Sequence, residues 1–238
     1  MKKLSKRLTI ITNALLFITI ISVYAVGFMP KQTLQTYSKD TINAIYNGNR
    51  KENNVSLMFN VYENTQTVND IIDVLNEKGV KATFFVGGCW GDDNEKTLNR
   101  IVECGHELAN HGYFHKDHKN LSYEANYQEI LNTGNIVKAL CGKELNLFAP
   151  PSGSFSPNTL KASYDLGYKV IMWSKDTIDW RDSDTTLIYN RATKNLSGGY
   201  LVLMPPKKHT LKILPSIIDY YLSVGFNVVS VSQNIENT

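Results

Sequence analysis

VSLMFNVYENTQTVNDIIDVLNEKGVKATFFVGG, residues 55–88, carries one complete unit of the fold. Its opening apolar run, VSLMFNV, has the length and composition of a buried strand. After a polar break, TVNDIIDVLNEKG repeats apolar residues every three or four positions and stops at Gly79, the pattern of an amphipathic helix with a glycine end. ATFFVGG then reads as a second strand. Strand, helix and strand in such short order make a parallel pair with a crossover.

The rhythm continues downstream. EKTLNRIVECG is a predicted helix closed by Gly105, HELANHG a strand, and SYEANYQEILNTGNIVKALCG the longest helix, closed by Gly142. LNLFAPP is the fourth strand. Ser156 and Pro157 supply an N-cap and a first helical turn. YKVIMWSK, TTLIYNRATKNL, YLVLMPP, LKILPSIIDYYLSVG and FNVVSVSQ complete seven expected strands alternating with six helices. Such alternation implies a parallel sheet, closed as a barrel or open and doubly wound. The first strand is followed by no G-x-G-x-x-G, so a dinucleotide fold loses support.

The flanking sequence has a different character. Lys2, Lys3, Lys6 and Arg7 precede Leu8–Phe28, a run without a charged residue. That length suits a membrane-spanning helix with its basic end in the cytoplasm, and a cleaved signal peptide is the rival. Residues 1–28 are thus expected as an anchor, 29–54 as a polar linker, and 55–238 as a body outside the cytoplasm, secreted if the N-terminus is cleaved. The net charge of +3 falls to −1 once the four N-terminal positives are removed, which argues against a nucleic-acid partner. Cys89, Cys104 and Cys141 form no C-x-x-C, so they read as inert thiols rather than a zinc site.

In a parallel barrel, chemistry gathers at the carboxyl ends of the strands. Those ends present Asn60, Val61, Tyr62 and Glu63; then Asn110 and His111, with His115 beyond; then Ala149, Pro150 and Pro151; then Asp176, Asp179 and Trp180; then Met204 and Pro205. Two histidines and several carboxylates on one rim suit a divalent ion such as zinc.

KATFFVGG, GHELANHGYFHKDHKNLS, FAPPSGSFS, DTIDW and LSGGYLVLMPP stand in the order and spacing of a known family. From about Val55 to Ile235 the chain resembles the polysaccharide deacetylases, carbohydrate esterase family 4. The resemblance implies a partly closed, distorted (β/α) barrel of about seven parallel strands. It also implies metal-assisted hydrolysis of the amide C–N bond in N-acetylated cell-wall glycan such as peptidoglycan. Carried over by position, His111 and His115 match the metal-binding histidines, zinc being the expected metal. Asp176 and Asp179, in the DTIDW block, are expected among the catalytic acids, and Tyr62, Pro151 and Trp180 are candidate sugar-binding residues.

Several positions depart from the family pattern. The aspartates expected as base and third ligand are Asn60 and Val61; the arginine is Ala149; the late histidine acid is Pro205. A positioned general acid or base contributes roughly 10²–10⁴-fold, so these losses weigh heavily. Glu63 is a tentative replacement ligand and Asp176 a replacement base. His118 and His209 read as solvated loop residues. Trp90, Tyr113 and Phe155 could extend a sugar-stacking floor. Two functions follow: a deacetylase-type hydrolase with a degenerate site, or an inactive descendant that binds glycan or a partner.

Overall fold

The computed structural model describes residues 42–236. The expected membrane segment and the first part of the expected linker lie outside the described residues. Among those described, no helix is long and apolar enough to cross a membrane.

In chain order the elements are β1 (Asn54–Val61), α1 (Thr65–Glu77), β2 (Thr83–Val86), α2 (Gly88–Asp93), α3 (Glu95–Glu103), β3 (Glu107–Asn110), α4 (Tyr123–Cys141), β4 (Leu147–Phe148), α5 (Pro157–Asp165), β5 (Lys169–Val170), β6 (Lys175–Asp176), α6 (Thr185–Thr193), β7 (Tyr200–Leu203), α7 (Lys208–Ser223), β8 (Asn227–Val228) and α8 (Val231–Ile235). Single 3₁₀ turns occupy His118–Asn120 and Pro151–Gly153. Helix ends follow the sequence signals. Gly79, Gly105 and Gly142 take positive φ just past α1, α3 and α4, where a side chain would be strained. Ser156 and Thr159 form a reciprocal capping box at α5.

All strand pairs within the sheet are parallel, in the order β5-β4-β3-β2-β1-β7-β6, with β8 alongside the start of β1. The sheet curls but does not close, because β5 and β6 are its two edges. The expected fifth strand, YKVIMWSK, therefore splits: its first part pairs with β4, and its last part pairs with β7. The gap is stitched by the chain before β1. Ile45 bridges to Ile171 and Asn47 to Tyr200. Residues 45–47 thus belong to the body, where a linker reaching to residue 54 was expected. FNVVSVSQ is also shorter as a strand than expected. Only Asn227–Val228 pairs, and Ser230 then caps α8 by accepting from the Gln233 amide.

Both faces of the sheet are buried, and side-chain alternation sorts them. Leu57, Phe59 and Val61 of β1 pack outward against the helices with Phe84, Val86, Val202 and Met204. Phe59 stacks on Phe84 with ring centroids 5.2 Å apart. Met58, Phe85, Ala109, Leu147, Ala149 and Leu201 pack in a second cluster with Val231 and Ile235 of α8. This inner cluster ends at the polar rim. Ser56, Met58 and Asn60 share the inner face of β1. Ser56 is held by Asn234 of α8 at 3.0 Å, Met58 is apolar floor, and Asn60 opens onto the cleft.

Candidate functional site

A cleft of about 530 Å³ lies at the carboxyl ends of the strands. It is lined by Asn60, Tyr62 and Glu63 after β1, by His111 and His115 after β3, by Ser152, by Trp173 and Asp176 around β6, by Trp180, and by Leu203 and Pro205–Lys207 after β7. The sequence-derived expectation that these strand ends share one pocket therefore holds for both histidines and for Asp176, Tyr62 and Trp180.

The histidine turn is built from buried hydrogen bonds. Asn110, on the outer face of β3, donates to the Ile130 carbonyl of α4 at 2.8 Å and accepts the Gly112 amide at 2.9 Å. Alternation then turns His111 inward. Its Nδ1 lies 2.7 Å from the Ala149 carbonyl oxygen. A carbonyl only accepts, so Nδ1 carries the hydrogen and Nε2 keeps its lone pair. Glu129, buried on α4, accepts the amide hydrogens of Tyr113 and Phe114 at 2.9 and 2.8 Å, and pairs with Lys116 at 3.1 Å. These bonds hold His115 at φ +54°, a strained conformation for a non-glycine residue. The His111 and His115 rings stand 5.2 Å apart, and Tyr62 lies 5.0 Å from His115. Burial, aided by the neighbouring His115, pushes the His111 imidazole down to about 3, and burial lowers His115 as well.

The other acids stand in different places. Asp176 lines the cleft and accepts the Ile178 amide at 2.8 Å, supporting another left-handed residue, Ile178 at φ +56°. Asp179, expected among the catalytic acids, is buried away from the cleft. Its carboxylate accepts Thr177 at 2.7 Å and Thr210 at 2.5 Å, and burial raises its pKa despite these bonds. Its role is to tie the loop after β6 to the start of α7. Glu63, the tentative ligand, has a side chain 61% exposed and paired with Lys207, which holds its carboxyl below the ordinary range. Pro151 is buried, and its neighbour Ser152 lines the cleft instead. Trp90, suggested for the stacking floor, is only 6% exposed and donates to Thr65.

His118 is buried and His209 half-buried, where solvated loop residues were expected. His118 is fully buried with Nδ1 2.7 Å from Asn126 Oδ1, and burial lowers its pKa. His209 Nε2 lies 2.7 Å from the Asp179 carbonyl. The three cysteines are free and half-buried.

The residues do not fit a resident divalent ion. The third-ligand position, Val61, is fully buried and packs outward into the helix-facing core. Glu63 is engaged by Lys207. Among the described residues, no three His, Cys, Asp or Glu side chains converge. At the base position, Asn60 Oδ1 is buried and accepts no hydrogen bond. Sequence reading missed Lys207, Trp173 and Glu129. Glu129 had a signal: it sits in the buried stripe of α4 with Asn126, Ile130, Thr133 and Val137, where an acid needs a partner.

This curled parallel barrel with a polar rim at its strand ends matches the family model "Polysaccharide deacetylase" over residues 47–171, and the chain belongs to that family. It is 36% identical over 140 residues to a peptidoglycan-N-acetylmuramic acid deacetylase of Bacillus subtilis, covering 58% of this chain and 53% of that protein. To a peptidoglycan-N-acetylglucosamine deacetylase of Bacillus cereus it is 28% identical over 158 residues, covering 66% of this chain and 58% of the relative. The chain thus spans little more than half the length of these relatives. A solved structure of a CE4 family pseudoenzyme from Bacillus anthracis superposes with a TM-score of 0.80 at 30% identity, covering 82% of this chain and 70% of that one.

Proposed function

We propose that this protein is a cell-wall glycan-binding member of the family that no longer deacetylates, tethered outside the cytoplasm by Leu8–Phe28. The observation that carries this reading is the carboxamide of Asn60 lining the cleft at the base position, its Oδ1 buried and unpaired. A carboxamide cannot take a proton from water at neutral pH, and no other group at the base position can. Pro205 offers no proton to a leaving amine, and Val61 cannot bind a metal. What persists is a cleft walled by Tyr62, Trp173 and Trp180, the surface sugars stack on. The likeness to a structure described as a pseudoenzyme supports the same reading.

The test uses the full chain with N-acetylated peptidoglycan and excess zinc. The expected result is glycan retained on immobilised protein and no acetate released above a His111→Ala control. Failure to retain glycan ends the reading. A second reading, hydrolysis of the acetamide with Asp176 as the replacement base, is favoured by Asp176 sharing one cleft with His111 and His115. Acetate release that disappears in His111→Ala would favour it over the first.

A further inference from the structure

Resting on the glycan-binding reading, we infer that the cleft is selective for sugars bearing a free amine, that is, for glycan already stripped of its acetyl groups. The charge of the lining favours a cation. An acetamide presents a carbonyl oxygen that must be met by a cation or a donor. The one cation lining the cleft among the described residues, Lys207, is already paired with Glu63. Nearby Arg181 is committed to Asp182 by two hydrogen bonds and lies over the Trp180 ring. The arginine position of the family is Ala149, packed in the apolar floor.

Neutral donors line the cleft at Ser152, Tyr62, Trp173 and Trp180, but its uncompensated charge is negative. Asn60 lines the cleft with its Oδ1 buried and without a donor, so that oxygen adds negative potential beneath the floor rather than a direct contact. Asp176 adds a carboxylate with one oxygen bonded to the Ile178 amide. The hydrogen on His111 Nδ1 leaves Nε2 as a lone pair. Counting Glu63, Asp176 and Lys207, the lining carries one net negative charge. An ammonium brings three hydrogens and a positive charge to this set, and the faces of Tyr62, Trp173 and Trp180 attract a cation. The methyl and carbonyl of an acetyl group gain nothing comparable.

Titration calorimetry on the full chain tests this, near neutral pH and in EDTA, with a glucosamine tetramer and an N-acetylglucosamine tetramer as probes. The free amine is expected to bind about tenfold tighter or more, the scale of a charge-assisted hydrogen bond. Asp176→Asn keeps the acceptor for the Ile178 amide but removes the charge, and should abolish the preference. Asn60→Asp adds a carboxylate and should strengthen amine binding while leaving the acetylated probe unimproved. Equal or tighter binding of the acetylated probe would overturn the inference and leave glycan binding standing. So would a preference untouched by Asp176→Asn, or amine binding that EDTA abolishes, which would point to a held metal. Binding of neither probe would remove the glycan-binding reading itself.

Discussion

His111 donates its Nδ1 hydrogen to the carbonyl oxygen of Ala149 at 2.7 Å, tying the end of β3 to the end of β4. The residue that matches a metal ligand is therefore also a structural strut. His111→Ala leaves that carbonyl without its partner and opens a cavity, at a cost of about 2–4 kcal/mol. Thermal denaturation should show this loss equally with and without zinc. Excess zinc should leave the wild-type melting temperature unmoved, whereas a site filled at 100 times its dissociation constant would add about 2.7 kcal/mol.

Glu129 supports the same turn from the other side. Its carboxylate accepts two adjacent amides and meets Lys116. Glu129→Gln keeps one acceptor oxygen but loses the charge, and should cost about 1–3 kcal/mol in urea denaturation. With the turn loosened, His115 can leave its strained backbone conformation. Glycan affinity should fall although Glu129 does not line the cleft.

Trp180 is 59% exposed on the cleft rim. Trp180→Ala should change stability by no more than about 0.5 kcal/mol. Affinity electrophoresis in a glycan gel should nonetheless show binding weakened about threefold to tenfold, the loss of one stacking face.

Acidification should destabilise the protein through its buried neutral histidines. His106 is 6% exposed, and burial, with Lys81 nearby, lowers it to about 4 from an unfolded value of 6.5. Between these values the unfolded chain binds a proton that the folded chain refuses. Its contribution is complete above pH 6.5 and is lost as the pH falls toward 4, by about 2–3 kcal/mol. His111 acts in the same direction down to about 3. Melting temperature against pH should fall through this window, with a shallower slope in His106→Gln.

Val61 is fully buried among apolar side chains on the outer face of β1. Val61→Asp places a carboxyl there without a partner and should lower stability by at least about 2 kcal/mol. Calorimetry of the single variant checks this. A variant as stable as wild type would show that the side chain can turn toward the cleft.

Much of this was legible in the chain itself. Apolar runs alternating with amphipathic stretches, closed by Gly79, Gly105 and Gly142, determined the helices and the parallel sheet, because periodicity and glycine conformation are local properties. The same alternation brought His111, Asp176 and Trp180 to one rim, since parallel strands deliver their carboxyl ends to one side. The substitutions Asn60, Val61, Ala149 and Pro205 were also plain from the residues. What only the tertiary structure decided was the company each polar group keeps. YKVIMWSK reads as one strand, but β5 and β6 are opposite edges of an open sheet, and pairing partners are set by distant chain. Asp179 looks like a site residue and His118 like a solvated loop residue, but both are buried in bonds of their own, to Thr177 and Thr210 and to Asn126. Glu63 met Lys207 and Glu129 met the histidine turn through contacts between segments far apart in sequence. Hydrogen-bond partners and burial are properties of three-dimensional packing, and no local pattern encodes them.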